Sequence, residues 1–192
     1  NSKVLYPFVD TEKLNPSKSF DGGYYLIISR LNKYKNVDIA VKAFRNNGRQ
    51  LKIVGVGPEL GKIRESASEN IEVLGKVSDA LLESLIAGCK GLIITAEEDF
   101  GMTSIEAQAF GKGVICFGQG GVLETVIPGK TGNYYLEKTP QSLNQALEIF
   151  VSLKINPTDC FTNAKKFSKQ KFKEQLRSHI NDYKKSSKLA NT

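Results

Sequence analysis

The sequence predicts an α/β fold in which a parallel sheet is covered by helices on both faces. Short, nearly continuous apolar runs rich in β-branched and aromatic residues alternate with segments of helical period. The helical segments have the roughly 10–15-residue length of a crossover between parallel strands. After Pro140 the apolar runs cease and the pattern becomes wholly helical, which predicts a group of C-terminal helices.

Six apolar runs are the predicted strands. In chain order they are Tyr24–Ser29, Leu51–Val54, Ile71–Leu74, Leu92–Thr95, Val114–Phe117 and Asn133–Leu136. Because most are apolar along their whole length, each is expected to be buried on both faces. Right-handed crossovers then bring every strand-to-helix loop to the carboxyl edge of the sheet, where Rossmann-like folds bind ligands.

The predicted helices follow from apolar spacing and from capping residues. The first has the i, i+3, i+4, i+7 spacing of one helix face at Val37, Ala40, Val41 and Phe44. Further helices are predicted near Glu59–Ala67, after the capping residue Ser78, at about Ser104–Ala109, and through Phe167, Phe172, Leu176 and Ile180.

Composition divides the chain into three parts. Residues 1–22 do not fit the strand–helix repeat and are predicted to be an interdomain lead-in, whereas residues 23–183 form the predicted domain. The last 28 residues hold nine Lys or Arg and two acids, so the whole net charge of +7 lies there. From Lys184 we predict a disordered basic tail, 184–192, able to contact anionic lipid head groups; a solvated helical face is the alternative.

Several classes of protein are not expected. No apolar run approaches the roughly 20 residues that span a bilayer, and the chain starts without a signal-peptide pattern, so we expect a cytoplasmic protein. The three cysteines, Cys89, Cys116 and Cys160, have no paired spacing, which favours buried thiols over disulfides or a zinc site. We expect no metal, no cofactor and no nucleic-acid partner. The segment Gly55–Gly61 departs from the dinucleotide fingerprint because its third glycine comes one place late.

Two predicted loops carry residues suited to a diphosphate. Arg30 and Lys35 follow the first strand, where a forked guanidinium and an ammonium can neutralise phosphate charge; ordinary surface cations are the alternative. Gly57 follows the second strand, where a glycine allows a backbone to come close, although a simple tight turn explains it equally well.

The loops after the fourth and fifth strands carry further candidates. Gly101, Met102 and Thr103 are expected to open a helix and to present free N–H groups to an anion. Glu98 and Glu106 can accept hydrogen bonds from vicinal hydroxyls, and a Thr103–Glu106 capping box is the competing interpretation, favoured on this segment alone. Paired glycines in the segment 118–121 are expected to let a backbone approach a ligand. We expect the cations and the carboxylates to meet in one cleft.

Four segments in this order resemble the retaining glycosyltransferases of family 4, which have the two-domain GT-B fold. The segments are Ser29–Lys35, Ile53–Glu59, Val73–Ser78 and Glu98–Glu106, followed by Gly120, Gly121 and Glu124. The likeness covers about residues 3–150, and Leu5–Thr11 is similar to the family's interdomain linker. It identifies the chain as the C-terminal donor-binding half, with the N-terminal acceptor domain expected to be absent from it.

The resemblance also implies roles. Arg30, Lys35 and Glu98 would be catalytic, the two cations holding the diphosphate leaving group and the carboxylate binding sugar hydroxyls. The implied donor-binding positions are Gly57, Val77 against the nucleobase, Gly101, Met102, Thr103, and Glu106 on the ribose. The implied partners are a nucleotide-sugar donor, with GDP-mannose favoured over a UDP-sugar, and a glycan or lipid-linked acceptor in polysaccharide assembly. This half alone is expected to be inactive.

Two other functions stay open on the sequence. UDP-GlcNAc 2-epimerases share the two-domain fold and bind the same class of nucleotide, but lack this context around the paired glutamates. A non-catalytic module that binds a nucleotide sugar is the second alternative. Two positions depart from the commonest family pattern: Ser29 and Asn36 stand where glycine is frequent.

Overall fold

The computed structural model describes residues 2–11 and 19–189, and it contains the predicted parallel sheet. The six strands are β1 (Tyr24–Ile28), β2 (Gln50–Val54), β3 (Ile71–Gly75), β4 (Cys89–Ile94), β5 (Gly113–Phe117) and β6 (Gly132–Tyr135). They lie in the order β3-β2-β1-β4-β5-β6, and every neighbouring pair is parallel. This order confirms a Rossmann-like fold. The largest difference from the prediction is at β4, which begins three residues early because Cys89 pairs with Tyr24.

Eight α-helices and a short 3-10 helix (Lys33–Lys35) complete the described part of the chain. The helices are α1 (Val37–Asn47), α2 (Leu60–Ser66), α3 (Asp79–Gly88), α4 (Met102–Ala109), α5 (Val122–Thr125), α6 (Pro140–Leu153), α7 (Pro157–Lys165) and α8 (Lys169–Leu189). The predicted cap of α3 is confirmed, because the hydroxyl of Ser78 accepts a hydrogen bond from the N–H of Leu81 at 3.3 Å.

Both faces of the sheet are buried, as the apolar strands predicted. Successive residues of a strand point to opposite faces, so that Ile27 belongs to one core and Leu26 to the other. The core that contains Ile27 packs against α1, α2 and α6. The core that contains Leu26 packs against α3, α4 and α5. Consequently α1 and α4, which follow β1 and β4, lie on opposite faces.

The first residues of the predicted lead-in pack against the C-terminal helices. The N–H of Val9, a residue 5% exposed, donates to the carbonyl of Phe167 at 2.9 Å. The ring of Phe8 lies 5.2 Å from that of Phe172, and Lys3 pairs with Asp182 at 2.6 Å. The remainder of the predicted lead-in falls partly on residues 12–18, which lie outside the described residues.

The C-terminal helix is longer than the sequence analysis expected. Helix α8 runs to Leu189, so the backbone of 184–189 is helical where disorder was predicted, and 190–192 lie outside the described residues. The physical reason is that no glycine or proline follows Ser168, so nothing in the sequence stops the helix. Cys89, Cys116 and Cys160 are buried free thiols, as predicted. Among the described helices, none is both long and apolar enough to cross a bilayer.

Substitution of Asn36 tests the backbone conformation of the segment between β1 and α1. It has a left-handed conformation (φ 52°, ψ 31°), which explains why glycine is common here in the family that the sequence resembles. We expect Asn36→Gly to leave the free energy of unfolding nearly unchanged. Asn36→Val should lower it by about 1–2 kcal/mol, because β-branched side chains clash in this region.

Urea unfolding of the two variants checks this expectation. The matched control is Asn46→Val on the exposed face of α1, where helical backbone accepts valine and the change should stay below about 0.5 kcal/mol. Equal losses for Asn36→Val and Asn46→Val would contradict the conformational argument.

Candidate functional site

The candidate site is a cleft at the carboxyl edge of the sheet. Strands β1 and β4 are neighbours at its centre, and their following helices lie on opposite faces. The two loops therefore diverge and leave an opening, which is where open α/β sheets bind ligands. The cleft has a volume of about 530 Å³ and is lined by the ends of β1 and β2, by the loop that follows β4 and by the first turn of α4.

Six of the nine predicted site residues line this one cleft. They are Arg30, Lys35, Glu98, Gly101, Met102 and Thr103. Gly57, Val77 and Glu106 lie elsewhere on the described surface. The predicted meeting of the two cations with Glu98 is thus present in the structure, whereas Glu106, expected in the same cleft, lines a separate groove. The ligand contacts assigned to each residue stay predictions.

An ion pair within the cleft joins Lys35 to Glu98. The ammonium lies 2.7 Å and 2.8 Å from the two carboxylate oxygens of Glu98. The side chains are only 11% and 25% exposed, so solvent screens this pair less than a surface ion pair. Arg30 is exposed at the mouth of the cleft. Exposed Glu97 does not line it, and Glu98 is therefore the glutamate of the pair that faces the opening.

The backbone of Lys35 is held by a hydrogen bond from the residue that follows the neighbouring strand β4. The hydroxyl of Thr95, which follows β4 and is 3% exposed, donates to the carbonyl oxygen of Lys35 at 2.5 Å. Asn36, with its left-handed backbone, then turns the chain directly into α1. These constraints fix the backbone from which the Lys35 side chain reaches Glu98.

Glu98 is held by the paired glycines after β5. The N–H of Gly121 donates to the carbonyl of Glu98 at 2.7 Å, and a Cβ on Gly121 would lie 2.3 Å from Asp99 O and from Phe100 Cα. A Cβ on Gly120 would lie 2.5 Å from Glu98 O. The sequence analysis expected these glycines to approach a ligand. In the structure the backbone they approach is that of residues 98–100, and an approach to a ligand stays a prediction.

The first turn of α4 presents its N–H groups to the cleft. Gly101 is the N-cap residue, with a left-handed φ of 82°, and Met102 and Thr103 are the first two helical residues. The N–H groups of a first turn have no acceptor within the helix, which makes them anion donors. The capping box was wrong: Thr103 lies inside the helix rather than at its N-cap, so its side chain cannot cap it.

A buried polar network that the sequence analysis missed fixes α4. The hydroxyl of Ser104 donates to that of Thr125 at 2.7 Å, and the amide of Gln108 donates to Thr125 O at 2.8 Å. Asn163 on α7 donates to Gln108 Oε1 at 2.8 Å and to Thr125 O at 2.9 Å. The available signal was a pair of polar residues four apart, Ser104 and Gln108, which lie on one face of a helix.

An aromatic cluster also went unpredicted, and it joins the lead-in to the cleft. The rings of Tyr6, Phe100 and Phe167 lie with centroids 5.5–5.9 Å apart. Hydrogen bonding to the carboxylate of Glu124 raises the pKa of the Tyr6 hydroxyl. Phe100 immediately precedes the N-cap Gly101, so this cluster supports the loop that opens α4.

Glu106 lies one turn beyond Met102 on the same face of α4. It lines a separate groove of about 220 Å³ together with Asp79 and Leu82 of α3. Burial raises the pKa of the Glu106 carboxyl, and within residues 2–11 and 19–189 no hydrogen bond or ion pair to it is found. A partly buried carboxylate without a partner destabilises the fold.

Gly57 and Val77 have packing roles in the structure. A Cβ on Gly57 would lie 2.4 Å from Leu31 O, so this glycine lets the second-strand turn pack on the first-strand loop. Val77 is partly buried against the core that contains Leu26. Their predicted contacts with a nucleotide stay predictions.

The sheet order and the cleft define a class, the Rossmann-like α/β domains that bind ligands at the carboxyl edge. The chain belongs to the glycosyl transferases group 1 family, whose model matches residues 10–167. It is 30% identical to an uncharacterized glycosyltransferase of Methanocaldococcus jannaschii, with 87% of this chain and 48% of that protein covered. It is 27% identical to an alpha-1,3/1,6-mannosyltransferase of Dictyostelium discoideum, with 88% of this chain and 51% of that protein covered.

A solved structure shows the same fold. The HepE protein of Anabaena, in complex with UDP and glucose, superposes with a TM-score of 0.80 at 20% identity, over 93% of this chain and 56% of that chain. The present chain spans about half the length of the curated relatives it matches.

Substitution of Gly121 tests the packing of the paired glycines, Gly120 and Gly121, against the backbone next to Glu98. We expect Gly121→Ala to lower the free energy of unfolding by about 1–3 kcal/mol, because the new Cβ forces the backbone at 99–100 to move. Thermal unfolding measures the loss. In Gly61→Ala, the matched control in α2, the Cβ meets nothing within 4 Å and the variant should be as stable as wild type or more so. A Gly121→Ala protein with wild-type stability would contradict the packing.

Proposed function

We propose that this chain is the donor-binding domain of a retaining glycosyltransferase and that it binds a nucleoside-diphosphate sugar in the carboxyl-edge cleft. One observation carries the proposal. Two cations from the loop after β1, a carboxylate from the loop after β4 and the free N–H groups of the first turn of α4 all line one opening. The combination suits a ligand that has both phosphates and hydroxyls.

In the proposed reaction the bond between the donor sugar and the diphosphate breaks, and negative charge grows on the leaving phosphate. We propose that Arg30, Lys35 and the N–H groups of Met102 and Thr103 stabilise that charge with little reorganisation. In the structure, Lys35 is paired with Glu98. A bound diphosphate would share the ammonium of Lys35 and leave Glu98 free to accept hydrogen bonds from sugar hydroxyls.

Glu106 is proposed to bind the ribose. Its partly buried carboxylate has a raised pKa and no partner in the described part of the chain. The two hydroxyls of a ribose would donate the hydrogen bonds that this carboxylate lacks. The cleft and the groove of Glu106 lie along one face of α4. A nucleotide that spans both would place its phosphates at the helix N-terminus and its ribose one turn further along.

GDP-mannose is the proposed donor. The resemblance of the sequence favours it, and the relative from Dictyostelium is a mannosyltransferase. The HepE structure, which carries UDP and glucose, makes a UDP-sugar the alternative to test. The proposed acceptor, a glycan or lipid-linked sugar, would bind to a domain outside this chain, and cytoplasmic location with contact at the membrane surface stays a prediction.

Calorimetric titration with GDP, UDP and ADP tests the proposal. We expect saturable binding of a nucleoside diphosphate, tightest for GDP. Tighter binding of UDP would overturn the GDP-mannose assignment alone. No response to any of the three would overturn the donor-site proposal. A full-length protein that epimerised a nucleotide sugar without an acceptor would favour the isomerase instead.

Arg30→Ala and Lys35→Ala should each weaken binding of the preferred diphosphate by about 1–3 kcal/mol, because each removes a charge-assisted contact. The same titration measures the effect. Lys33→Ala is the matched control, since Lys33 is an exposed cation of the same loop that does not line the cleft. An equal loss for Lys33→Ala would mean that only the general charge of the loop matters.

Glu106→Gln separates ligand binding from stability. It should weaken a ribonucleoside diphosphate more than its 2′-deoxy analogue, which lacks one of the two hydroxyls. Equal weakening of both would contradict a ribose contact. Because the folded-state pKa of Glu106 is raised, its charged form destabilises the fold as pH rises above its unfolded pKa of about 4.3.

The glutamine variant should therefore be more stable than wild type at pH 7, and the difference should vanish below about pH 4. Urea unfolding at several pH values measures it. Glu65→Gln, an exposed carboxylate of α2, is the control and should change stability by less than about 0.5 kcal/mol.

A further inference from the structure

A second cleft lies at the opposite, amino edge of the sheet. It has a volume of about 870 Å³, larger than the carboxyl-edge cleft. Its lining includes the starts of three strands, at Gln50 of β2, Cys89 of β4 and Gly113 of β5. The proposed donor function uses none of these residues.

The charged residues of this cleft are mainly cationic. Arg49, Lys90, Lys112 and Lys154 line it, whereas Asp21 is its one carboxylate among the lining residues described. Arg49 is paired with Glu148 at 2.8 Å. For the other three cations, no ion pair occurs within the described ranges. Exposed lysines elsewhere, such as Lys42 with Asp38 and Lys62 with Glu59, do have an ion-pair partner.

Lys112 distinguishes the cleft from a patch of solvated lysines. It is only 8% exposed, and its ammonium donates to the carbonyl of Phe20 at 2.8 Å. An ammonium has three donors, and burying it without a counter-ion costs free energy. Burial accordingly lowers the pKa of Lys112, against the opposing influence of Cys89 and Asp21. An anion in the cleft would stabilise this charge.

The rest of the lining suits a ligand with an apolar part beside the anion. Phe20, which is 52% exposed, and Val151, which is 55% exposed, lie in the same cleft as the cations. The segment that carries Phe20 is held in place, because the N–H of Phe20 donates to Ala87 O at 3.0 Å and that of Gly22 to Gly88 O at 2.8 Å.

We propose that the amino-edge cleft binds a phosphate monoester, with Lys90, Lys112 and Lys154 neutralising the phosphate. The proposal does not rest on the donor function, since the two clefts share no residue and lie at opposite edges of the sheet. The phosphate can belong to a soluble phosphorylated molecule or to a lipid whose head group ends in a phosphate monoester, because both present the same dianion to the three ammonium groups.

Nuclear magnetic resonance of the full 192-residue chain, titrated with inorganic phosphate, tests the site by residue. We expect saturable shifts of the amides at 111–113 and 22–23. The double variant Lys90→Gln/Lys154→Asn should weaken this binding at least about fivefold. Asparagine is chosen because Lys154 has a left-handed backbone (φ 46°), which asparagine tolerates.

Two controls accompany the titration. Lys42→Gln/Lys62→Gln removes the same charge from exposed positions outside the cleft and should leave the shifts at 111–113 unchanged. Shifts at 101–103 report any binding in the carboxyl-edge cleft and should be unaffected by the double variant. Absent shifts at 111–113, or shifts that the double variant leaves intact, would overturn the proposal.

Vesicles distinguish the source of the phosphate. Phosphatidylcholine vesicles containing phosphatidic acid, a phosphate monoester, are sedimented with wild type and with the Lys90→Gln/Lys154→Asn variant. Sedimentation that the double variant loses assigns the lipid source. Phosphate-induced shifts at 111–113 without such sedimentation, or with sedimentation that the variant keeps, assign a soluble phosphate ester.

Discussion

The arrangement of β1 beside β4 at the centre of a wholly parallel sheet is the constraint on which the rest of the structure depends. Because the two strands continue into helices on opposite faces, their loops cannot pack on each other along their whole length. The opening between them collects side chains from distant parts of the sequence. The same parallel arrangement gathers all the strand starts at the other edge, where the cationic cleft lies.

The carboxyl-edge cleft is held together by contacts to its backbone as well as by its ion pair. Thr95 fixes the backbone of Lys35, and Gly121 fixes that of Glu98, so the two side chains meet from supported positions. The Lys35–Glu98 pair then satisfies two charges that would otherwise be left unpaired in a poorly solvated opening. Glu106, which has no hydrogen bond or ion pair within the described residues, contrasts with this pair, and we propose that ligand hydroxyls are its partners.

Local pattern accounts for much of the fold and for part of the site. The apolar runs located all six strands, and the capping residue Ser78 located the start of α3. Arg30, Lys35 and Glu98 were found because they follow strands, and parallel strands end at one edge. Pattern failed at Thr103, because the capping-box spacing places the N-cap there, whereas the N-cap of the helix is Gly101, two residues earlier. The disorder predicted from Lys184 onward was also wrong over 184–189, because composition alone does not reveal that α8 continues through this segment.

The sequence by itself determined the α/β class, the strand positions and the edge at which charged residues gather, because these depend on periodicities of a few residues. Only the tertiary structure decided which side chains from distant segments touch. Lys35 and Glu98 are 63 positions apart, and the network of Ser104, Thr125 and Asn163 joins three helices. Gly121 packs against the backbone of Asp99 and Phe100, and Lys112 donates to the carbonyl of Phe20. No local period records such contacts, since each arises only when the sheet brings distant segments within a hydrogen bond of one another.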